Sequence, residues 1–188
     1  SNLDAKLRRQ VREDIREIQQ KLGVTTIYVT HDQEEALAIS DKVIVMNNAV
    51  IAQEGNPKDL YNFPKNKFVA NFIGDANVVK AEIINKQSNI YELKLAEIKV
   101  KIESDNDFTK TVSVALRPEK IKIERIDNKN CIYATVNNAS FVGSSYQYIL
   151  NSEIGKLYVI SNDTNDVFEV GEKVFLSLNE KDIRVLKD

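Results

Sequence analysis

The sequence is poor in the residue types that build disulfide bonds, metal centres and membrane anchors. Its 188 residues include one cysteine, Cys131, and one histidine, His31. A single cysteine excludes an intrachain disulfide and a cysteine-based zinc site, and it suits a reducing cytosol. No apolar run approaches the ~20 residues needed to cross a bilayer. The N-terminus also has no signal-peptide pattern.

Charge of either sign is not in excess. The chain carries 26 lysines and arginines against 28 aspartates and glutamates, for a formal net charge of −2. The balance therefore provides no electrostatic reason to expect a nucleic acid or an anionic membrane as a partner. The length allows one ordinary domain or two small ones with a real core.

The strongest functional signal lies in residues 24–37, VTTIYVTHDQEEAL. The nearly continuous apolar run 24–29 predicts a β-strand covered on both faces, as in a parallel α/β sheet. Such a strand would deliver His31 to its carboxyl end, where ligands collect in open α/β sheets. Asp32 is the predicted N-cap of the next helix, and Glu35 can reach back to complete a capping box.

The same residues admit two other interpretations. His31 can simply be a polar residue that ends a strand. Asp32, Glu34 and Glu35 beside it can be taken as a metal cluster, but acids at the start of a helix are more simply explained as a cap favoured by the helix dipole. We therefore predict no metal site.

Two segments resemble ABC transporter ATPases. Residues 30–36, THDQEEA, resemble the switch-histidine segment, and Ser1-Asn2-Leu3-Asp4 resembles the D-loop, at the family's spacing from the histidine. Apolar residues at spacings of three and four predict a helix over residues 4–22 between them, with Gly23 as its cap.

The resemblance continues to residue 75. Residues 40–75 follow the order seen at the end of the nucleotide-binding domain of ABC importers, which is a strand, a turn, a strand, a glycine-proline break and an F-V-A-x-F-I-G close. The predicted elements here are a helix over 33–40, strands over 42–46 and 50–53, and helices over 58–62 and 66–73.

From Asn77 onward the pattern changes to short alternating segments with polar turns. This pattern is typical of an antiparallel sandwich or small barrel, and it places a domain boundary near residue 75. The predicted strands cover residues 78–84, 90–95, 98–102, 111–116, 121–126, 132–141, 146–150, 156–161, 173–178 and 182–186.

Within this region, residues 114–119, VALRPE, resemble the V-R-P-E segment of the TOBE domain, an OB-like accessory domain of maltose-, polyamine-, iron- and molybdate-type importers. Residues 141–146 and 168–174 lie where that family has its strand-connecting glycines. The resemblance implies an α/β remnant of a P-loop nucleotide-binding domain over residues 1–75, followed by an all-β OB-like TOBE barrel or sandwich domain over residues 76–188.

Two binding interpretations of the β region compete with this one. OB-like barrels bind oligonucleotides through stacked aromatics, but the alternation of Phe141, Tyr146 and Tyr148 favours core packing. Arg117 and Glu119 can bind a ligand, although a salt-bridged strand corner at Pro118 is the commoner arrangement. We therefore predict no nucleic acid partner.

The resemblance also implies a function. The catalytic residue is His31, which donates a hydrogen bond toward the γ-phosphate of ATP and helps hold the attacking water. Asp4 works across the ATPase dimer, assisted by Ser1 and Asn2. The implied cofactors are ATP and Mg²⁺. The implied partners are a second copy of the subunit and membrane-spanning permease subunits, at the cytoplasmic face of the bacterial inner membrane.

The chain departs from the family in lacking the main catalytic parts. It contains no G-x-x-x-x-G-K-[ST] phosphate loop, no LSGGQ-type signature and no strand ending in an Asp-Glu pair. These parts supply most of the transition-state stabilisation in such enzymes. We therefore expect the chain to be a piece of a longer polypeptide, inactive and without cofactor by itself. The alternative is a non-catalytic regulatory module whose β domain binds a small solute or oxyanion.

Overall fold

The computed structural model describes residues 5–127 and 130–187. One compact unit extends to Phe63 and a second begins at Pro64. The elements are, in chain order, helices α1 (Ala5–Leu22) and α2 (Gln33–Ile39), strands β1 (Val43–Asn47) and β2 (Val50–Gly55), helices α3 (Pro57–Asn62) and α4 (Lys67–Phe72), and strands β3 (Asn77–Gln87), β4 (Ile90–Leu95), β5 (Ile98–Glu103), β6 (Thr111–Leu116), β7 (Lys122–Glu124), β8 (Ile132–Phe141), β9 (Tyr146–Ser152), β10 (Gly155–Ser161), β11 (Lys173–Ser177) and β12 (Ile183–Leu186).

Local sequence signals explain the elements of the first unit. α1 ends at Leu22, and Gly23 follows with a φ of +63°, a left-handed conformation that glycine adopts without strain. β1 and β2 form an antiparallel hairpin whose turn residues, Asn48 and Ala49, both have positive φ. This conformation matches the turn preferred in two-residue hairpins. The side chain of Asn56 caps α3 by accepting a hydrogen bond from Asp59 N.

The predicted strand over residues 24–29 is not formed, which corrects the sequence interpretation. Residues 24–30 have no regular secondary structure, and Ile27 and Val29 are 89% and 90% exposed. A strand needs a neighbour to pair its backbone N–H and C=O groups. In the part of this unit that the structure describes, β1 and β2 pair with each other, and no strand lies beside residues 24–30. The apolar run therefore predicts burial that these residues do not achieve.

The second unit contains two five-stranded antiparallel sheets. One has the strand order β10-β9-β8-β11-β7 and the other the order β12-β6-β3-β4-β5. Alternate residues on each strand point into a shared core, as on β4, where Tyr91, Leu93 and Leu95 are buried. The largest fully buried side chains of the core also include Tyr148, Phe168 and Leu150. The prediction of an all-β domain is confirmed.

Helix α4 belongs to this second unit. Ala70 on α4 packs with Ala115 of β6 and Leu186 of β12, so small side chains bring the helix against the outer face of the sheet. The buried Arg117 donates a hydrogen bond from Nη1 to the carbonyl oxygen of Ala70 at 3.0 Å. The compact unit therefore begins at Pro64, ahead of the boundary that the change of sequence pattern predicts near residue 75.

The side chain of Asn77 joins the two sheets by hydrogen bonds. Asn77, at the start of β3, accepts a hydrogen bond from Tyr158 N on β10 and donates one from Nδ2 to Tyr158 O, both at 2.7 Å. Its Nδ2 also lies 3.3 Å from Leu116 O. An amide side chain presents an N–H donor and a carbonyl acceptor side by side, so Asn77 pairs with the edge strand β10 as a neighbouring strand would, and its second N–H is directed to Leu116 O.

Candidate functional site

His31 lies in the turn that leads into α2, and its side chain is exposed. Asp32 follows it as the N-cap of α2, as predicted, and its Oδ1 accepts hydrogen bonds from Glu34 N at 2.9 Å and Glu35 N at 3.3 Å. The cap fixes where the helix begins and so fixes the backbone directly after the histidine. An exposed imidazole beside a helix start is accessible to a ligand.

Glu35 does not complete the predicted capping box, which requires a hydrogen bond from Asp32 N to the Glu35 carboxylate. Asp32 N donates instead to Thr30 Oγ1 at 3.0 Å. The Glu35 carboxylate accepts from Thr30 Oγ1 at 2.7 Å and from the Tyr28 hydroxyl at 3.3 Å. Burial and the Glu35 carboxylate raise the pKa of Tyr28, which further favours the protonated hydroxyl that donates this hydrogen bond.

Helix α1 contributes two arginines to the surroundings of the turn. Arg12 pairs with Glu35 at 3.7 Å, and each side chain is 17% exposed. Arg16 donates two hydrogen bonds to the Asp41 carboxylate, at 2.9 and 2.5 Å, which lower the pKa of Asp41. Both ends of α2 are therefore tied to α1. No spacing rule could have found the Arg12 contact, because it joins residues far apart in the sequence.

The other predicted site residues, Ser1, Asn2 and Asp4, lie outside the described residues. The structure therefore does not bring them together with His31 or separate them from it. Within residues 5–127 and 130–187, no three side chains of histidine, cysteine, aspartate or glutamate come together as metal ligands. Over the same residues, no helix is both long and apolar enough to span a bilayer.

The aromatic residues that were candidates for oligonucleotide binding lie in different environments in the β domain. Tyr148 is fully buried and packs edge-to-face on Phe168, as the core interpretation predicts. Tyr146 stacks on Tyr148 with ring centroids 5.8 Å apart. Phe141 differs from the prediction, since it is 58% exposed at the end of β8.

Sequence reasoning missed a cluster around Arg125. The Arg125 guanidinium lies over the ring of Phe168, 4.3 Å from its centroid, and donates hydrogen bonds to Asp166, to the carbonyl of Val167 and to Glu172. The hydrogen bond with Asp166 is the largest cause that raises the pKa of Arg125. These contacts fasten the loop between β10 and β11, and they need no ligand to explain them.

Cys131 is 3% exposed, and its thiol donates a hydrogen bond to Asp127 Oδ1 at 3.2 Å. Burial, followed by the Asp127 carboxylate, raises the pKa of Cys131 to about 11. We expect the native thiol to react with a disulfide reagent at pH 8 at least about 100-fold more slowly than in the urea-unfolded chain, where the thiol pKa is about 8.5. Because this is the only cysteine, absorbance of the released thiolate reports it directly.

The same pKa difference predicts a pH dependence of stability. The native thiol keeps its proton up to about pH 11, while the unfolded thiol loses it near its ordinary pKa. The Cys131 contribution to the free energy of unfolding should therefore fall as the pH rises through this interval. A Cys131→Ala variant should lack this contribution. Equal rates of reaction of the Cys131 thiol with the disulfide reagent in the native and unfolded chains would contradict the buried environment.

Comparisons with known proteins find sequences that are similar to this chain. Residues 114–186 match the sequence profile of the TOBE domain. The Fe(3+) ions import ATP-binding protein FbpC of Agrobacterium fabrum is 36% identical over 186 residues, which cover 99% of this chain and 52% of that protein. The FbpC proteins of Brucella melitensis and Fusobacterium nucleatum are 41% and 38% identical, over 85% and 100% of this chain and 45% and 51% of their own lengths.

Among solved structures, the cytoplasmic molybdate-binding protein ModG aligns with a TM-score of 0.46 and 10% identity, covering 57% of this chain and 92% of ModG. The chain spans about half the length of the curated relatives it matches. The matches to the Agrobacterium and Fusobacterium proteins cover 99% and 100% of this chain and so run through both compact units. The chain is therefore a relative of the C-terminal part of ABC importer ATP-binding subunits and carries a TOBE domain over residues 114–186.

Proposed function

We propose that this chain is the C-terminal part of an ATP-binding subunit that couples ATP hydrolysis to solute uptake in an ABC importer. The observation that carries the proposal is the match of 99% of the chain to an import ATP-binding protein at 36% identity. On this proposal, residues 1–75 are a remnant of a P-loop nucleotide-binding domain, and residues 76–188 form an OB-like TOBE domain.

The proposed site is the exposed imidazole of His31. An imidazole is a short, rigid donor that suits a hydrogen bond to the γ-phosphate oxygens and to the attacking water. Asp4, with Ser1 and Asn2, would act at the nucleotide interface of a paired copy. The described residues do not by themselves form a cradle for MgATP, because the sequence has no phosphate loop. A polypeptide segment that carries that loop would have to supply it.

The proposed partners follow from the same role. The subunit would pair with a second copy and dock on permease subunits at the cytoplasmic face of the bacterial inner membrane. The relatives are named for the import of Fe(3+) ions, so we propose ferric iron as the solute. The alternative, a non-catalytic β module that binds a small solute or oxyanion, has no specific contact among the described residues in its favour.

The test compares the complete gene product that contains this chain with the 188-residue chain alone. We expect the complete product to hydrolyse MgATP and, with its permease partners in vesicles, to take up radioactive ferric iron. The 188-residue chain should show no hydrolysis above background and no heat of MgATP binding in calorimetry. Micromolar MgATP binding by the chain alone would refute its dependence on a phosphate loop.

A complete product that binds molybdate or a similar oxyanion and hydrolyses no ATP would favour the regulatory alternative. Uptake of another solute with intact ATP hydrolysis would keep the ATPase proposal and reject ferric iron. The two parts of the proposal are therefore tested separately.

A further inference from the structure

The carboxylate of Glu35 is the meeting point of three groups from outside its own helix. It accepts hydrogen bonds from the hydroxyls of Thr30 and Tyr28, at 2.7 and 3.3 Å, and it pairs with Arg12 of α1 at 3.7 Å. A helix N-terminus alone would have explained an acid in the first turn of α2. It does not explain why this carboxylate turns back toward the segment that precedes the helix.

Through Thr30, the Glu35 carboxylate is also connected to Asp32, on the other side of His31. Thr30 Oγ1 donates to Glu35 and at the same time accepts a hydrogen bond from Asp32 N at 3.0 Å. Thr30 and Asp32 are the residues on either side of His31, so one hydroxyl connects both of its neighbours to the carboxylate. Asp32 is held again through its side chain, which caps α2. The backbone that carries the imidazole is therefore fixed from both directions.

Arg12 anchors this arrangement to the longest helix of the unit. The two side chains of the Arg12–Glu35 pair are each 17% exposed, whereas in the Arg9–Glu13 pair on the same helix they are 74% and 61% exposed. A pair shielded from water is screened less and holds its geometry better than an exposed pair. The Arg12–Glu35 pair therefore holds the turn against α1, although residues 24–30 form no strand.

We propose that Glu35 is the positioning residue for His31, because its carboxylate fastens the Thr30-His31-Asp32 turn to Tyr28 and to Arg12 of α1. This inference rests on the proposed function, in which the imidazole acts on the γ-phosphate and the attacking water. Hydrolysis depends on placing such a donor accurately, and a displacement of about 1 Å can lower the rate by about 100-fold. Glu35 touches no nucleotide in this scheme and acts through the backbone on either side of His31.

The first experiment measures ATP hydrolysis in the complete subunit. We expect Glu35→Ala to lower kcat by between about 10-fold and about 100-fold and to change KM for MgATP by less than about 2-fold. Glu35→Gln keeps an oxygen that can accept from both hydroxyls and loses the charge that pairs with Arg12, so its loss should be smaller. The matched control is Glu13→Ala, which removes the exposed pair with Arg9 and should leave kcat unchanged.

A double-mutant cycle separates positioning from a general loss of stability. If Glu35 acts through His31, adding Glu35→Ala to His31→Ala should lower kcat no further. A further loss in the double variant, equal to that of Glu35→Ala alone, would overturn the proposal. An unchanged kcat in Glu35→Ala, with a severe loss in His31→Ala, would also overturn it while leaving the proposed function intact.

The second experiment does not need ATPase activity. His31 is the only histidine of the 188-residue chain, so histidine-selective ¹⁵N labelling gives one backbone amide signal. We expect its order parameter to fall from about 0.85 to below about 0.6 in Glu35→Ala and to stay unchanged in Glu13→Ala. Equal order parameters in the unchanged chain, Glu35→Ala and Glu13→Ala would refute the positioning role of Glu35. This outcome does not depend on whether the complete subunit hydrolyses ATP. A lowered value together with absent hydrolysis would reject the proposed function alone.

Discussion

Replacing His31 with alanine in the complete ATP-binding subunit is expected to lower kcat for ATP hydrolysis by about 100-fold or more, with little change in the affinity for MgATP. The imidazole is exposed at the start of α2, so its removal leaves no buried cavity and costs little stability. Its proposed contacts are made with the γ-phosphate and the attacking water in the transition state. A group that acts only there changes kcat and leaves ground-state binding intact.

The measurement combines steady-state hydrolysis with binding of MgATP to the same preparations. A suitable control is Glu17→Ala, which removes an exposed ion pair with Lys21 on α1. This variant should match the unchanged protein in both assays. If His31→Ala retained hydrolysis within a few-fold of the unchanged protein, His31 would be only a polar residue in a surface turn. The proposal that Glu35 positions His31 for hydrolysis would then also be rejected.

Asn77→Ala is expected to lower the free energy of unfolding of the β domain by about 2–4 kcal/mol. The substitution removes the hydrogen bonds to Tyr158 N and O and the donor near Leu116 O. It leaves Tyr158 N and O, which are partly buried, without those partners. A polar group shielded from water that has no partner costs more free energy than the hydrogen bond itself contributes. The loss of unfolding free energy in Asn77→Ala should therefore exceed that caused by replacing an exposed asparagine with alanine.

Urea unfolding, followed through the amide signals of β8 and β9, measures this loss in the β domain alone. The matched control is Asn151→Ala, because Asn151 is an exposed asparagine on β9. Its substitution should change the unfolding free energy by no more than about 0.5 kcal/mol. Equal midpoints for the two variants would mean that the apolar core holds the two sheets together without the Asn77 contacts.

Much of the β domain could be predicted from local patterns. Strands β4, β6 and β8 have the predicted bounds, because alternation of apolar and polar residues with turn residues at both ends is a property of each short segment. The caps at Asp32 and Gly23 follow for the same reason, since an N-cap and a C-terminal glycine act on backbone groups only a few residues away.

The segment over residues 24–29 shows the limit of such reasoning. Its composition is that of a buried strand, yet Ile27 and Val29 are exposed, because a strand is completed by neighbours that its own sequence does not contain. The position of His31 beside the cap of α2 was predicted. The groups that hold this position were only partly predicted, since Glu35 bonds to Thr30 and Tyr28 and not to the backbone of Asp32.

The sequence by itself determined the period of the helices and strands, the order of the two parts of the chain and the candidate histidine. Each of these depends on residues close together in the chain. The tertiary structure alone decided that Arg12 pairs with Glu35, that Asn77 joins β3 to β10 and that α4 packs against the β domain. These contacts join residues distant in sequence, and they form only because packing of the apolar faces brings those residues within hydrogen-bonding distance.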